Sequence, residues 1–190
     1  QREVDGFVPP IVSKPLPMRE NVKDAAMALR SLGDAMSLLR AGRIALVADA
    51  IRQLRAGVGR EIAIGAWVPG PFTLAWQLYG AEAWLSCVGA ILRLAQDRLL
   101  AVAQQGQALP LLETLADFLS RVANFYRDVG ADFITVHEMG GLPQVIGAER
   151  FRALVKPALQ YLFGQLPSPK VLSICGDTNA VVQDMAECRA

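Results

Sequence analysis

Short apolar runs alternate along this chain with longer segments in which apolar residues recur every three or four positions. The short runs end in Gly, Pro or polar residues and predict three strands: EIAIGAWV at 61–68, the run within GADFITVHEMGG at 130–141, and KVLSICGD at 170–177. The longer segments predict helices at about 20–40, 44–57, 71–85, 90–129 with a break near Gly106 and Pro110, 147–166 and 178–188. Long helices between short buried strands are typical of βαβ units, so the pattern predicts an α/β fold with a parallel sheet.

Each predicted strand ends in small or polar residues, and the carboxyl ends of parallel strands are where α/β proteins build their sites. Side chains alternate along a strand, so Ile134 and Val136 are expected to face the covering helices. His137 then points the other way, together with Ser173 and Cys175 of the third strand. We therefore expect these three side chains to converge at one rim. Glu138 follows its strand and is expected to be free to turn towards the mouth.

Composition excludes several classes of protein. The 190 residues are 53% hydrophobic and 19% charged with a net charge of +1, which fits a globular protein and not a disordered or nucleic-acid-binding one. Three cysteines, Cys87, Cys175 and Cys188, form no CxxC pair and no even set. This usage is typical of free thiols in a reducing compartment, so a cytoplasmic location is expected.

No membrane span or secretory signal is expected. The stretch between Glu61 and Glu82 is uncharged, but Pro69, Gly70 and Pro71 interrupt it, which favours a strand, a turn and a helix over a transmembrane helix. Residues 1–18 are polar and proline-rich and predict an extended lead-in. The missing initiator methionine indicates a trimmed chain or a piece of a longer one.

A family resemblance rests on the three strand-end motifs GPFTLA, GADFITVHEMGG and VLSICGDTN. Together with the helices between them, they resemble the uroporphyrinogen decarboxylase superfamily, and within it the corrinoid-dependent methylcobalamin:coenzyme M methyltransferase branch. The resemblance implies a (β/α)8 TIM barrel, with residues 1–190 as one partial barrel domain that holds only the middle strands. Either the remaining strands lie outside this chain or a second copy of the chain pairs with it as a homo-oligomer.

The resemblance also implies an enzyme and its chemistry. Enzymes of that branch carry His-x-Cys-Gly at this third strand, with a further Cys on a later strand, and bind zinc, which activates a thiol such as coenzyme M. The thiolate takes a methyl group from methylcobalamin or from a corrinoid protein. Cys175 and Gly176 match the motif, whereas Ser173 occupies the position of the His.

His137 is the only histidine in the chain and is expected to replace the missing ligand. The hypothesis is a zinc site with His137, Glu138 and Cys175 as ligands, completed by residues outside this chain. Cys175 and Glu138 are the candidate catalytic residues. Cys87 and Cys188 are expected to lie too far away on helices.

Four residues of the strand-end loops are candidates for cofactor binding: Gly140, Gly141, Gly176 and Asp177. Simpler roles remain open for Gly140, Gly141 and Glu138. The two glycines would serve only to permit the turn, and Glu138 would equally serve to cap the next helix or to accept hydrogen bonds from loop amides.

Three functions are therefore compatible with the sequence. The leading one is methyl transfer from a methyl-corrinoid to a zinc-activated thiol or another acceptor. The second is decarboxylation of the uroporphyrinogen type on the same fold. The third is a non-catalytic fragment or corrinoid-binding scaffold, since three strands make an incomplete barrel. Neither nucleic acid nor a membrane is an expected partner.

Overall fold

The structure is a computed structural model that describes residues 42–79 and 98–190, with side chains for 42–78 and 108–190. The predicted lead-in at 1–18, the predicted helix at about 20–40, and Cys87 lie outside the described residues.

Three parallel strands form the sheet of the described residues. They are β1 (Gly65–Pro69), β2 (Phe133–His137) and β3 (Lys170–Ser173), and β2 lies between the other two. In the register, Trp67 lies opposite Thr135, and His137 lies opposite Ser173. The parallel sheet and the three strands agree with the sequence pattern, although β3 ends at Ser173, so that Cys175 lies in the loop after the strand.

The two faces of the sheet differ in burial as the alternation predicts. Ala66 and Val68 of β1 and Ile134 and Val136 of β2 are buried beneath the helices. The opposite face carries Trp67, which is 54% exposed, and the half-buried side chains of the odd-numbered residues of β2. The helix-covered face is therefore the hydrophobic core, and the open face leads to the rim at the carboxyl ends of the strands.

The described residues form several helices, of which the long Arg98–Asp128 helix packs on β1 and β2. They are α1 (Gly42–Val58), α2 (Pro71–Tyr79), α3 (Arg98–Asp128), α4 (Pro143–Ile146), α5 (Ala148–Arg150), α6 (Lys156–Gly164) and α7 (Val182–Ala186). Residues 65–79 lie within the uncharged stretch that raised the question of a membrane span, and they form a strand, a turn and a helix. Within the described ranges, no helix is long and apolar enough to span a bilayer.

The long helix α3 corrects one prediction, because it continues through Pro110 where a break was expected. A proline inside a helix costs about 3 kcal/mol. Four leucines just after it, Leu111, Leu112, Leu115 and Leu119, are buried in the core. Burial of each such side chain contributes about 1.5–3 kcal/mol, so packing outweighs the proline.

The single helix expected over 147–166 is divided. After α4 and α5, residues Phe151–Val155 form a π-helical turn, and α6 follows. The N–H of Lys156 bonds to the carbonyl of Phe151, one residue further back than in an α-helix. Pro157 explains the wider turn, because proline has no N–H and its ring collides with the carbonyl four residues earlier.

The C-terminal helix α7 is fixed to this segment by charge. Asp184 is buried, and its carboxylate accepts hydrogen bonds from Nε of Arg152 and from Nζ of Lys156, both at 2.9 Å. The pKa of Asp184 is lowered, chiefly by the hydrogen bond from Lys156. A 3₁₀ turn, Asn179–Val181, begins the helical region that the sequence predicts at 178–188.

Candidate functional site at the strand ends

Three polar side chains meet where β2 and β3 end. The Oγ of Ser173 lies 3.0 Å from Nδ1 of His137, and the Sγ of Cys175 lies 3.6 Å from Nε2 of the same ring. The strand register causes this meeting, since His137 and Ser173 are direct neighbours on adjacent strands. Cys175, two residues further on, keeps the same side of the sheet. The predicted convergence of His137, Ser173 and Cys175 is confirmed.

An aromatic ring borders the imidazole on its other side. Trp67 of β1 lies with its ring centroid 5.2 Å from that of His137, at an interplanar angle of 42°. The sequence pattern alone indicates no firm role for Trp67. Its position follows from the alternation within β1, because Ala66 and Val68 face the core and Trp67 therefore faces the open side.

Glu138 does not join this group, and the expectation that it turns towards the mouth is not met. Its side chain is fully buried, and it accepts hydrogen bonds from the backbone N–H groups of Phe72 and Gly141, both at 3.1 Å, and from the hydroxyl of Thr73. The alternation of β2 explains the outcome. Glu138 continues the side of Ile134 and Val136, which faces the helices.

The carboxyl of Glu138 instead caps a helix from another part of the chain. Its partners Phe72 and Thr73 lie in the first turn of α2, where free N–H groups and the helix dipole favour an anion. Burial nevertheless raises the pKa of Glu138 to about 7, against the lowering effect of the hydrogen bonds from Thr73, Gly141 and Phe72. The amide-binding role left open by the sequence is the one that this geometry supports.

Thr73 links the two loops of this region, a role that the sequence pattern does not reveal. Its hydroxyl donates to Glu138 and accepts from the N–H groups of Met139 at 2.7 Å and Gly140 at 2.9 Å. A buried threonine in the first turn of a helix is an ordinary cap in sequence, and no local signal indicates that it binds a second loop. The loops after β1 and β2 are therefore joined by Thr73 and Glu138.

The two glycines of the loop after β2 are buried in that junction. A Cβ on Gly140 would lie 2.9 Å from the Trp76 ring and 3.1 Å from the Thr73 backbone, and one on Gly141 would lie 2.9 Å from the Val155 side chain. Close packing between loops thus accounts for both glycines. The backbone of Gly140 and Gly141 is therefore not exposed beside the His137–Cys175 pair.

Gly176 and Asp177, in contrast, are exposed directly after Cys175. Gly176 has a φ of +84°, a conformation that suits glycine, and the side chain of Gln144 lies beside it. The carboxylate of Asp177 accepts a hydrogen bond from the N–H of Asn179 at 3.0 Å, so it shapes the turn into the next helical segment. Of the four residues expected to bind a cofactor, these two lie at the rim.

The remaining thiol of the described residues is separate from the rim. Cys188 is buried, and its Sγ donates to the backbone carbonyl of Asp184 at 3.3 Å. Burial raises the pKa of this thiol to about 11. Among the side chains described at 42–78 and 108–190, no group of three or more His, Cys, Asp or Glu is arranged to hold a metal ion. The three-ligand set expected from the sequence is thus reduced to His137 and Cys175.

That pair nonetheless fits zinc as two of its ligands. With Zn–S near 2.3 Å and Zn–N near 2.0–2.1 Å, a tetrahedral angle separates the two ligand atoms by about 3.6 Å. The observed distance between Sγ of Cys175 and Nε2 of His137 is 3.6 Å, at the edge of the range for a hydrogen bond to sulfur. Thiolate and imidazole are also the donor types that zinc prefers.

Comparison with known proteins assigns this chain to a family. The chain matches the family described as uroporphyrinogen decarboxylase (URO-D) over residues 8–190. It belongs to that family. Members of the URO-D family are TIM barrels, and the parallel sheet of the described residues is consistent with part of such a barrel.

Relatives within the URO-D family carry methyltransferase names. A methylcobamide:CoM methyltransferase of Methanosarcina barkeri is 26% identical over 180 residues, covering 95% of this chain and 47% of the relative. A second such enzyme, from Methanosarcina barkeri strain Fusaro, is 28% identical over 151 residues, covering 80% of this chain and 41% of the relative. The chain therefore spans less than half the length of these curated relatives.

A solved structure gives the same picture. A methyltransferase from Methanosarcina mazei superposes with a TM-score of 0.65 at 27% sequence identity, over 80% of this chain and 41% of the other. The similarity supports a shared fold and a resemblance to a methyltransferase.

Proposed function

We propose that the protein is a corrinoid-dependent methyltransferase that moves a methyl group from a methyl-corrinoid to a zinc-activated thiol, such as coenzyme M, or to another acceptor. The observation that carries the proposal is the pairing of Cys175 Sγ with His137 Nε2 at 3.6 Å on the open side of the sheet. The names of the relatives support methyl transfer over decarboxylation.

In this proposal His137 and Cys175 are two zinc ligands, and the others come from outside the described residues. Bound zinc would supply Lewis acidity that keeps the acceptor thiol as a thiolate. Cys175 contributes a negative sulfur to the site, and His137 contributes a neutral nitrogen. Glu138 is left out of the ligand set, because its carboxyl is occupied at the N-terminus of α2.

The reaction balances as a methyl transfer between sulfur and cobalt. In the proposed transfer from cobalt to sulfur, the acceptor thiol would release its proton to solvent, its sulfur would form the new S–C bond, and the Co–C bond would break with its electron pair left on cobalt. No oxidant or reductant is required. The protein has to hold the sulfur in line with the methyl group and keep water away, since positioning supplies much of the rate in such transfers.

The open side of the sheet offers surfaces for this positioning. Trp67 is 54% exposed beside His137 and presents an apolar ring to the space above the pair. Gly176 and Asp177 lie at the exposed rim, where a corrinoid or its carrier protein would approach. A corrinoid protein and a small thiol are accordingly the proposed partners.

The test is zinc content and turnover of the intact protein. Zinc per chain is measured by elemental mass spectrometry. Methyl transfer from methylcobalamin to coenzyme M is followed by the loss of free thiol. We expect zinc in the wild type, and its loss together with turnover in Cys175→Ala and His137→Ala.

Cys188→Ala is the matched control, because it removes a thiol that is buried away from the rim. It should keep both zinc and turnover. Unchanged zinc in Cys175→Ala would overturn the assignment of that ligand. A wild type with neither metal nor turnover would favour the corrinoid-binding scaffold.

A further inference from the structure

Ser173 stands where the resembling enzymes place a metal-binding histidine, and the structure gives it a specific partner. Its Oγ lies 3.0 Å from Nδ1 of His137, whereas Nε2 on the far side of the ring faces Cys175 Sγ at 3.6 Å. Both ring nitrogens are therefore engaged by neighbours on β3 or on the loop that follows it. The serine is a direct contact of the histidine that replaces the missing ligand.

The direction of the hydrogen bond between Ser173 and His137 decides what Nε2 can do. A neutral imidazole has one N–H and one bare nitrogen. When Nδ1–H donates to the serine oxygen, Nε2 presents a lone pair to Cys175. When the serine hydroxyl instead donates to Nδ1, Nε2 carries the proton, and a protonated nitrogen cannot bind a metal.

The surroundings also limit rotation of the ring. Neighbouring strands of a sheet lie about 4.8 Å apart, so a short hydroxyl side chain reaches the ring directly from β3. Trp67 borders the imidazole from β1, with ring centroids 5.2 Å apart. His137 is thus held between an aromatic ring on one strand and a hydroxyl on the other.

We infer that Ser173 is a positioning residue, whose hydroxyl accepts the Nδ1–H of His137 and so directs the Nε2 lone pair towards Cys175. The inference rests on the proposed function. It explains the departure from His-x-Cys-Gly, because the nitrogen ligand has moved from β3 to β2 and the serine supports it there. Such supporting hydrogen bonds fix the tautomer and orientation of metal-binding histidines.

The first test reads the tautomer and needs no metal. His137 is the only histidine of the 190 residues, so its two ring nitrogens can be assigned in a long-range ¹H–¹⁵N spectrum. We expect the proton on Nδ1 in the wild type and in Ser173→Thr, which keeps the hydroxyl. Ser173→Ala should lose that preference. Val171→Ala is the matched control, because it alters the same face of β3 two residues earlier.

The second test reads metal affinity by competition with a chromophoric zinc chelator. Ser173→Ala should weaken zinc binding by about 10–100-fold, the usual effect of removing such a support, and Ser173→Thr should restore most of it. A proton on Nε2 in the wild type, or a tautomer unchanged in Ser173→Ala, would overturn the inference.

The two tests separate this inference from the proposed function. If the tautomer responds to Ser173→Ala while the wild type binds no zinc, Ser173 positions His137 and the zinc site falls. If zinc binds and is lost in Cys175→Ala, but Ser173→Ala changes neither tautomer nor affinity, the zinc site stands and the role of Ser173 is overturned.

Discussion

Thr73, in the first turn of α2, donates its hydroxyl proton to Glu138, although 65 residues separate them in the sequence. The same oxygen accepts from the N–H groups of Met139 and Gly140. One donor and two acceptors use the full capacity of a hydroxyl. The loops after β1 and β2 are joined in this way at Glu138, the residue that follows His137, so the junction stabilises the backbone that carries the site.

Removal of that hydroxyl should therefore be costly. Thr73→Val keeps the shape of the side chain but removes one hydrogen bond of Glu138 and the hydroxyl acceptor of the Met139 and Gly140 N–H groups, and we expect a loss of about 2–4 kcal/mol. Thr73→Ser keeps the hydroxyl and should cost about 1 kcal/mol for the lost methyl group. Urea unfolding measures both, and equal stability of the two variants would contradict the role of the hydroxyl.

Glu138 should make stability depend on pH. Its pKa rises from 4.5 to about 7 on folding, so the folded protein binds a proton that the unfolded chain releases between these values. This contribution is fully present below pH 4.5 and is lost as the pH rises through 7. The shift corresponds to at most about 3 kcal/mol.

Glu138→Gln removes the titrating group and is the matched variant. The difference in unfolding free energy between wild type and variant should change steadily from pH 4.5 to 7, to the disadvantage of the wild type at the higher pH. Urea unfolding at a series of pH values measures this difference. A difference that stays constant across this range would show that Glu138 does not titrate there.

Gly70 should be intolerant of a side chain. A Cβ at this position would collide with a carboxylate oxygen of Glu138. Gly70→Ala should cost about 1–3 kcal/mol in unfolding free energy. Gly57→Ala is the opposite control, because Gly57 lies in α1 with open space around it and should gain about 0.4–1 kcal/mol. Thermal or urea unfolding of the pair tests the contrast.

The ion pairs of Asp184 and Asp49 should contribute differently to the free energy of unfolding. Asp184 is buried between Arg152 and Lys156, whereas Asp49 forms an exposed pair with Arg52. Asp184→Asn should cost about 1.5–3 kcal/mol, as expected for hydrogen bonds to a charged group. Asp49→Asn should change stability by less than about 0.5 kcal/mol. Similar losses in the two variants would contradict the assignment of Asp184 as an anchor of α7.

Cys175 and Cys188 should react differently with iodoacetamide. Cys175 is exposed at the rim, whereas Cys188 is buried and has a pKa raised to about 11. Peptide mapping after brief alkylation of the zinc-free folded protein at pH 8 should find Cys175 labelled and Cys188 unlabelled. Labelling of Cys188 at a comparable rate would mean that the C-terminal helix opens readily.

Much of the fold could be predicted from the pattern of apolar positions. The three strands, their parallel order and their buried faces follow from the runs that end at Gly, Pro or polar residues. Helix boundaries were less certain, because the course of α3 through Pro110 depends on leucines packed in the core. The π-helical turn before Pro157 follows from the proline itself, which helical periodicity does not take into account.

Which residues of each strand face the open side follows from the sequence alone, because alternation is a local property of extended backbone. That property predicts that His137, Ser173 and Cys175 share one side. The contact between Ser173 and the histidine, and the burial of Glu138 against Thr73, are visible only in the folded chain. Both outcomes depend on the register between strands and on the packing of loops far apart in sequence, and no local pattern contains that information.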